Sequence, residues 1–278
     1  MRTARAWLYP LLAVAVLVLA WAGPLDRLAG EQATAGLKRA LATFAAARAL
    51  NGVISVAQGT EVAVEPAGVG VTFAPGQVLD PVNDLIEQFS TLMLTASVSF
   101  GVQGALLAIG GHWALSALLT LALLLWLARR PWLPGQPVGW VGRAVLLLLL
   151  VRFAVPLAAL GSDAAFRWFL AERYEQSQQA LELGSSELAE LAAPPQPPPA
   201  TVAERVQRWW ADAREAVDIS ARLDALREAA TRVTEHVVEL IVVFLLQTLI
   251  VPTLLLWAIW RATLALLAGR GHPAAGES

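Results

Sequence analysis

Four apolar blocks stand out along this chain, and each lies beside arginine. Trp7 to Ala22 follows Arg2 and Arg5, and His112 to Ala128 runs into Arg129-Arg130. Val138 to Leu160 begins beside Arg143, and Val237 to Trp260 ends at Arg261 with Arg270 beyond. About 20 apolar residues in helical form cross the roughly 30 Å hydrocarbon core of a bilayer. Basic clusters mark cytoplasmic ends. Four spans with both termini inside satisfy every cluster, and blocks two and three form a hairpin about a cytoplasmic turn, 129–143. Three prolines and a glycine within 130–137 tighten that turn. Trp7, Trp21, Trp113, Trp126, Trp132, Trp140, Trp257 and Trp260 fall near block ends, where indole rings favour the headgroup region. Residues 1–22 fit a signal anchor. Ala20-Trp21-Ala22 also has the small-x-small form of a signal-peptidase site, but the flanking tryptophans favour retention.

A further apolar stretch, Phe89 to Gly110, carries a polar stripe: Asp84, Gln88, Thr91, Thr95, Ser99 and Gln103 recur every three to four residues. The stripe predicts an amphipathic helix over 85–110, interfacial or re-entrant, with Ser97, Gly101 and Ala105 as a small-residue ridge for helix contact. A fifth span is the alternative. It would move the double arginine, Arg143 and the C-terminal arginines to the outside.

Two long segments remain for the outer side. In 23–84, Leu25 to Leu50 has helical spacing and Asn51-Gly52 is a helix stop. Val53–Val56, Glu61–Val64 and Val69–Phe73 then predict a hairpin or three-stranded meander. Asp80-Pro81 reads as the cap and first turn of the striped helix. In 161–236, Phe166 to Leu183 reads as a helix and Ser185 to Leu191 as a second short piece. A polyproline spacer occupies 193–199. Thr201 with Glu204 forms a capping box that opens a long helix. The expected fold is a mainly α-helical membrane protein. Its four-span (or five-span) helical bundle carries a small periplasmic α+β unit over 23–84 and a periplasmic helical hairpin over 161–236. The last span occupies 237–268 and a cytoplasmic tail 269–278.

The chain has 278 residues, a net charge of −2, 57% hydrophobic and 15% charged residues, and no cysteine. That balance gives no footprint for nucleic acid. The missing thiols exclude disulfides, thiolate metal sites and a cysteine nucleophile. Arg152, inside block three, is the sharpest chemical feature, since a guanidinium at membrane depth needs a partner. Gln247 in block four is the expected one. Glu235, His236 and Glu239 have a single histidine, too few for a zincin, so His236 and Glu239 read as an interfacial patch. Trp209 and Trp210, beside Arg205, Arg208 and Arg214, are candidates for stacking on a headgroup or sugar, or for packing. No catalytic set, cofactor loop or metal site is expected. The partners expected are the lipid bilayer and a protein partner or second copy bound through the outer helices. The leading function is a non-catalytic assembly, scaffold or envelope-adaptor protein of a bacterial inner membrane. The alternative is a transporter or channel component using Arg152 and Gln247.

The threading makes a direct prediction. With single cysteines at Ser185 and Ala274, an impermeant maleimide applied to intact cells labels the first position and spares the second. The reverse pattern overturns the orientation.

Overall fold

The structure is a computed structural model. It describes the backbone of residues 2–58, 62–64, 71–73, 76–129, 139–192 and 202–268, with side chains over 10–56, 79–129, 139–191 and 224–267. The helices are α1 (Arg2–Ala22), α2 (Pro24–Gln58), α3 (Gly76–Gly110), α4 (Trp113–Arg129), α5 (Trp140–Ala165), α6 (Ala171–Ala192), α7 (Val202–Leu245) and α8 (Val251–Ala268). A π turn, Phe166–Leu170, carries α5 into α6, and another, Leu246–Ile250, carries α7 into α8.

Leu79–Gly110, Trp140–Leu191 and Asp224–Leu267 are each long and apolar enough to cross a membrane. Pro10–Ala22 with Pro24–Val56, bent by 45°, makes a fourth if counted as one broken span. Trp113–Arg129 is a shorter apolar helix. The chain is thus a helical protein with the makings of several membrane crossings.

Of the three strands expected in the α+β unit, Val53–Val56 is a misreading, because it continues α2. Among the described residues the other two form a hairpin-like ribbon: Val62–Val64 (β1) and Val71–Phe73 (β2) pair antiparallel. Leu50 and Ile54 are both fully buried. Packing of that stripe outweighs the local preference of Asn51-Gly52 for a stop and of Val53-Ile54 for a strand. Asp80-Pro81 does not open α3 either, because the helix begins at Gly76 and contains Pro81. Leu183 to Ser185 is uninterrupted within α6. The spacer 193–199, residues 130–138 of the expected turn and the tail 269–278 lie outside the described residues.

The chain divides into two compact units: residues 1–38, 97–169 and 245–278 in one, 39–96 and 170–244 in the other. In the first unit, α1 with the start of α2 is one line, and the end of α3 with α4 is another running against it. Trp21 donates to Thr120 and Ser116 to the Ala20 carbonyl, each at 3.1 Å. Gly111 lies against Asp26, Leu107 clusters with Ala29 and Ala33, and Gly36 sits under the Phe100 ring. Positions on one line rise as those on the other fall, so α3 and α4 are one path broken at Gly111-His112. The helix at 89–110 therefore prolongs block two. α5 supplies Val145 to the cluster of Ala13, Ala20, Leu119 and Leu123, and Ala159 to that of Ala29, Ala33 and Leu107. Gly161 packs on Leu255 of α8.

In the second unit the buried positions step by three and four residues. On α2 they are Ala40, Thr43, Ala47, Leu50 and Ile54. On α7 they include Leu226, Ala230, Val233, Val237, Leu240 and Phe244, and α3 and α6 carry matching rows. This is the spacing with which bundle helices meet along a seam. Gly184 meets Val233 so closely that an added Cβ would lie 2.5 Å from its methyl. The glycine is there for packing, which is why it does not end the helix.

Gly36 offers a test of the first unit. An added Cβ would lie 2.3 Å from the Phe100 ring, so Gly36→Leu should overpack the contact and cost about 1–3 kcal/mol. Gly104, with open space around it, should accept alanine with a gain of up to about 1 kcal/mol. Thermal denaturation of the purified protein in micelles checks both, and equal effects at the two sites would refute the packing.

Candidate functional site

The first unit closes around a charge pair. α1 ends at Ala22, and Gly23 follows with φ +59°, a left-handed turn natural to glycine after a helix. Pro24 starts α2 at the position where proline's missing N–H costs nothing. The break orphans the last carbonyls of α1 and puts Asp26 in the first turn of α2, where the helix dipole favours an anion. Arg152, on α5, reaches both ends of the break. Its Nη1 donates to Asp26 Oδ1 at 2.8 Å and its Nη2 to Oδ2 at 2.5 Å. Nη2 also donates to the Ala20 carbonyl at 2.9 Å, which takes a further bond from Ser116. The side chain of Arg152 is 2% exposed and that of Asp26 20%. Gly111 lies against the carboxylate, where a Cβ would stand in ordinary contact, 3.7 Å from Asp26 Cγ. The Arg152 guanidinium lies 5.3 Å from the centre of the Phe153 ring, and its Nε makes no hydrogen bond.

Arg152 and Gln247 are not brought together. Tyr174 against Phe244, Ser177 against Glu239 and Gly184 against Val233 show the two last helical lines running antiparallel. Gly161 against Leu255 continues that register. It places Gln247 near the level of Phe169, about 25 Å along the axis from Arg152. Gln247 is buried in the π turn, and its Oε1 accepts no hydrogen bond.

His236 and Glu239 do meet, with a third residue that sequence reasoning passed over. The Ser177 hydroxyl donates to Glu239 Oε2 at 2.5 Å, and His236 Nδ1 lies 3.4 Å from Ser177 Oγ and 3.5 Å from Glu239 Oε2. A nucleophilic triad needs the hydroxyl to give its proton to the imidazole and the carboxylate to orient the far ring nitrogen. Here the hydroxyl is bonded to the carboxylate, both face the same ring nitrogen, and Ser177 is fully buried. The cluster ties α6 to α7, as Arg232–Glu187 at 2.7 Å does further along. Thr43 and Gln178, at 2.9 Å, tie α2 to α6. Trp209 and Trp210 lie on α7, but their side chains fall outside the described residues. Among the described residues no group of three metal-binding side chains converges.

Asp26 was the missing partner. A lone carboxylate four residues past the end of block one, after Gly23-Pro24, is the signal that points to it. Its pairing across 126 positions left no trace in local spacing.

No family model, characterised protein or solved structure matches this chain, so function is argued from its own geometry.

Bidentate arginine–carboxylate pairs are strong and directional. Removing one partner of a buried pair leaves an uncompensated charge and costs about 3–5 kcal/mol. Asp26→Ala and Arg152→Leu should each destabilise the detergent-solubilised protein by that order, and Asp26→Leu with Arg152→Leu should recover much of the loss. Melting curves of the three variants check this, and additive losses in the double variant would exclude a coupled pair.

Proposed function

We propose that the chain is a multi-pass protein of a bacterial inner membrane and a non-catalytic scaffold or adaptor, acting through helices held on the outer side. The observation that carries this reading is the use made of the buried charge. Arg152 spends two nitrogens on Asp26 and the Ala20 carbonyl, so its strongest bonds join α1, α2 and α5. A guanidinium so engaged would have to break that joint to bind an anionic substrate. The seams of the second unit support coiled-coil-like packing of rigid helices, suited to presenting a surface to a partner. Arg2, Arg5, Arg129, Arg130, Arg143 and Arg270 support cytoplasmic termini under the positive-inside rule.

The rival, a transporter or channel component, draws on one feature: Gln247 is buried, its Oε1 is unbonded, and it sits in a π turn, a distortion common at functional sites.

Reconstitution separates the two. Purified full-length protein in liposomes loaded with a pH dye or a potassium reporter should leak no faster than empty liposomes. In cells, a photo-crosslinking residue at Leu183, exposed on α6, should give a discrete adduct. Flux that is lost in Gln247→Leu, with no adduct at Leu183, would replace the scaffold by the transporter.

A further inference from the structure

The outer surface of the first unit is uneven in a way a bilayer cannot tolerate unaided. Val98, Val102, Leu106 and Ile109 on α3 are exposed, as are Leu157 on α5, Trp168 and Phe169 in the π turn, and Leu254 and Trp257 on α8. α3 has no charged residue after Glu87. Trp140 and Trp168, both largely exposed, stand 28 positions apart on one continuous helix, about 42 Å at 1.5 Å per residue. That matches the roughly 40–45 Å from one headgroup region to the other, where exposed indoles favour the interface. Arg152 then lies near mid-depth.

α2 occupies the same depth, because Asp26 holds Arg152 while Ala29 and Ala33 pack with Leu107 and Ala159. Its outward stripe is nevertheless polar. Arg27, Glu31, Thr34 and Lys38 are all exposed, at helical steps of four, three and four. Arg27 is 82% and Glu31 59% exposed, and they pair only with each other, at 3.3 Å, among the contacts described. Ionised side chains facing acyl chains are strongly disfavoured, so this stripe requires a polar cover.

We infer that the Arg27–Glu31–Thr34–Lys38 face of α2 docks a second copy of this chain within the bilayer. The charges along the stripe run plus, minus, plus. In a twofold dimer about the membrane normal the two α2 helices run parallel. Each Glu31 then stands within reach of the other copy's basic side chains at neighbouring heights, so the surface complements itself. Close approach is open. A Cβ at Gly30 would touch nothing, and the Thr34 hydroxyl is turned back onto the Gly30 carbonyl at 2.8 Å. The inference rests on the membrane reading and not on the scaffold role, so flux in liposomes would leave it standing.

The native absence of cysteine makes the test simple. Full-length Thr34→Cys and Gly101→Cys proteins, in native membranes, are oxidised with copper phenanthroline and run on non-reducing gels. A dimer band is expected for Thr34→Cys and not for Gly101→Cys. Adding Arg27→Glu to Thr34→Cys should lower the crosslinked fraction about tenfold by juxtaposing like charges, and Arg27→Glu with Glu31→Arg should restore it. Three results overturn the assignment. Labelling of Thr34→Cys by an impermeant maleimide without crosslinking makes the face water-lined. Gly101→Cys crosslinking in its place moves the interface to α3. Absence of both crosslink and label at Thr34→Cys leaves the face in lipid.

Discussion

A guanidinium buried in an apolar helix must be neutralised where it stands, and much of the first unit follows from how Arg152 meets that demand. Its counter-charge comes from α2, and its third acceptor is a carbonyl freed by the end of α1. The break at Gly23 is therefore more than a bend, because it turns both acceptors toward Arg152. Pro24 has no N–H to give the Ala20 carbonyl four residues back, and the new start of α2 puts Asp26 in a first turn. The break at Gly111-His112 answers on the facing line, where Gly111 lies against the carboxylate. Two interruptions and one ion pair thus form a single device, and none of the three explains itself alone.

In the second unit the seams are mostly apolar, with Thr43 and Ser177 among their polar members. Polar ties between helices lie beside those two residues. A polar residue on a seam costs stability when mispaired and so favours one register over its neighbours. That gives Ser177, His236 and Glu239 a physical task without chemistry.

What could be read from the residues follows the range of the interactions. The four apolar blocks and the arginines beside them are local patterns, and helices stand at each. The stripe on 89–110 correctly implied a helix with a polar side. Its place in the fold could not be read, because the direction of α4 depends on contacts with α1 some hundred positions away. Val53–Val56 was misread for the opposite reason: local β preference was clear, but burial of Leu50 and Ile54 on one seam decided the outcome. Arg152 was found as a site and lost as a pair. Gln247 matched it in depth by a count along one helix, whereas Asp26 matched it in space through a break that the count ignored.

The same limits bear on how such a chain meets lipid. Span-finding by apolar run treats each helix as wholly in or out, yet α2 is polar on its outward side while its inward side packs alanines against α3 and α5 at the level of Leu107 and Ala159. The π turn at Phe166–Leu170 shows a complementary solution. Its wider coil puts Arg167, Trp168 and Phe169 outward in succession, which a 3.6-residue turn spreads over different faces. Two rings and a cation at one height suit a headgroup region, where aromatic faces and charge are both accommodated. An aromatic girdle at that height and a bare charged stripe on α2 below it cannot both face acyl chains. The mismatch is resolved when protein, and not lipid, covers α2.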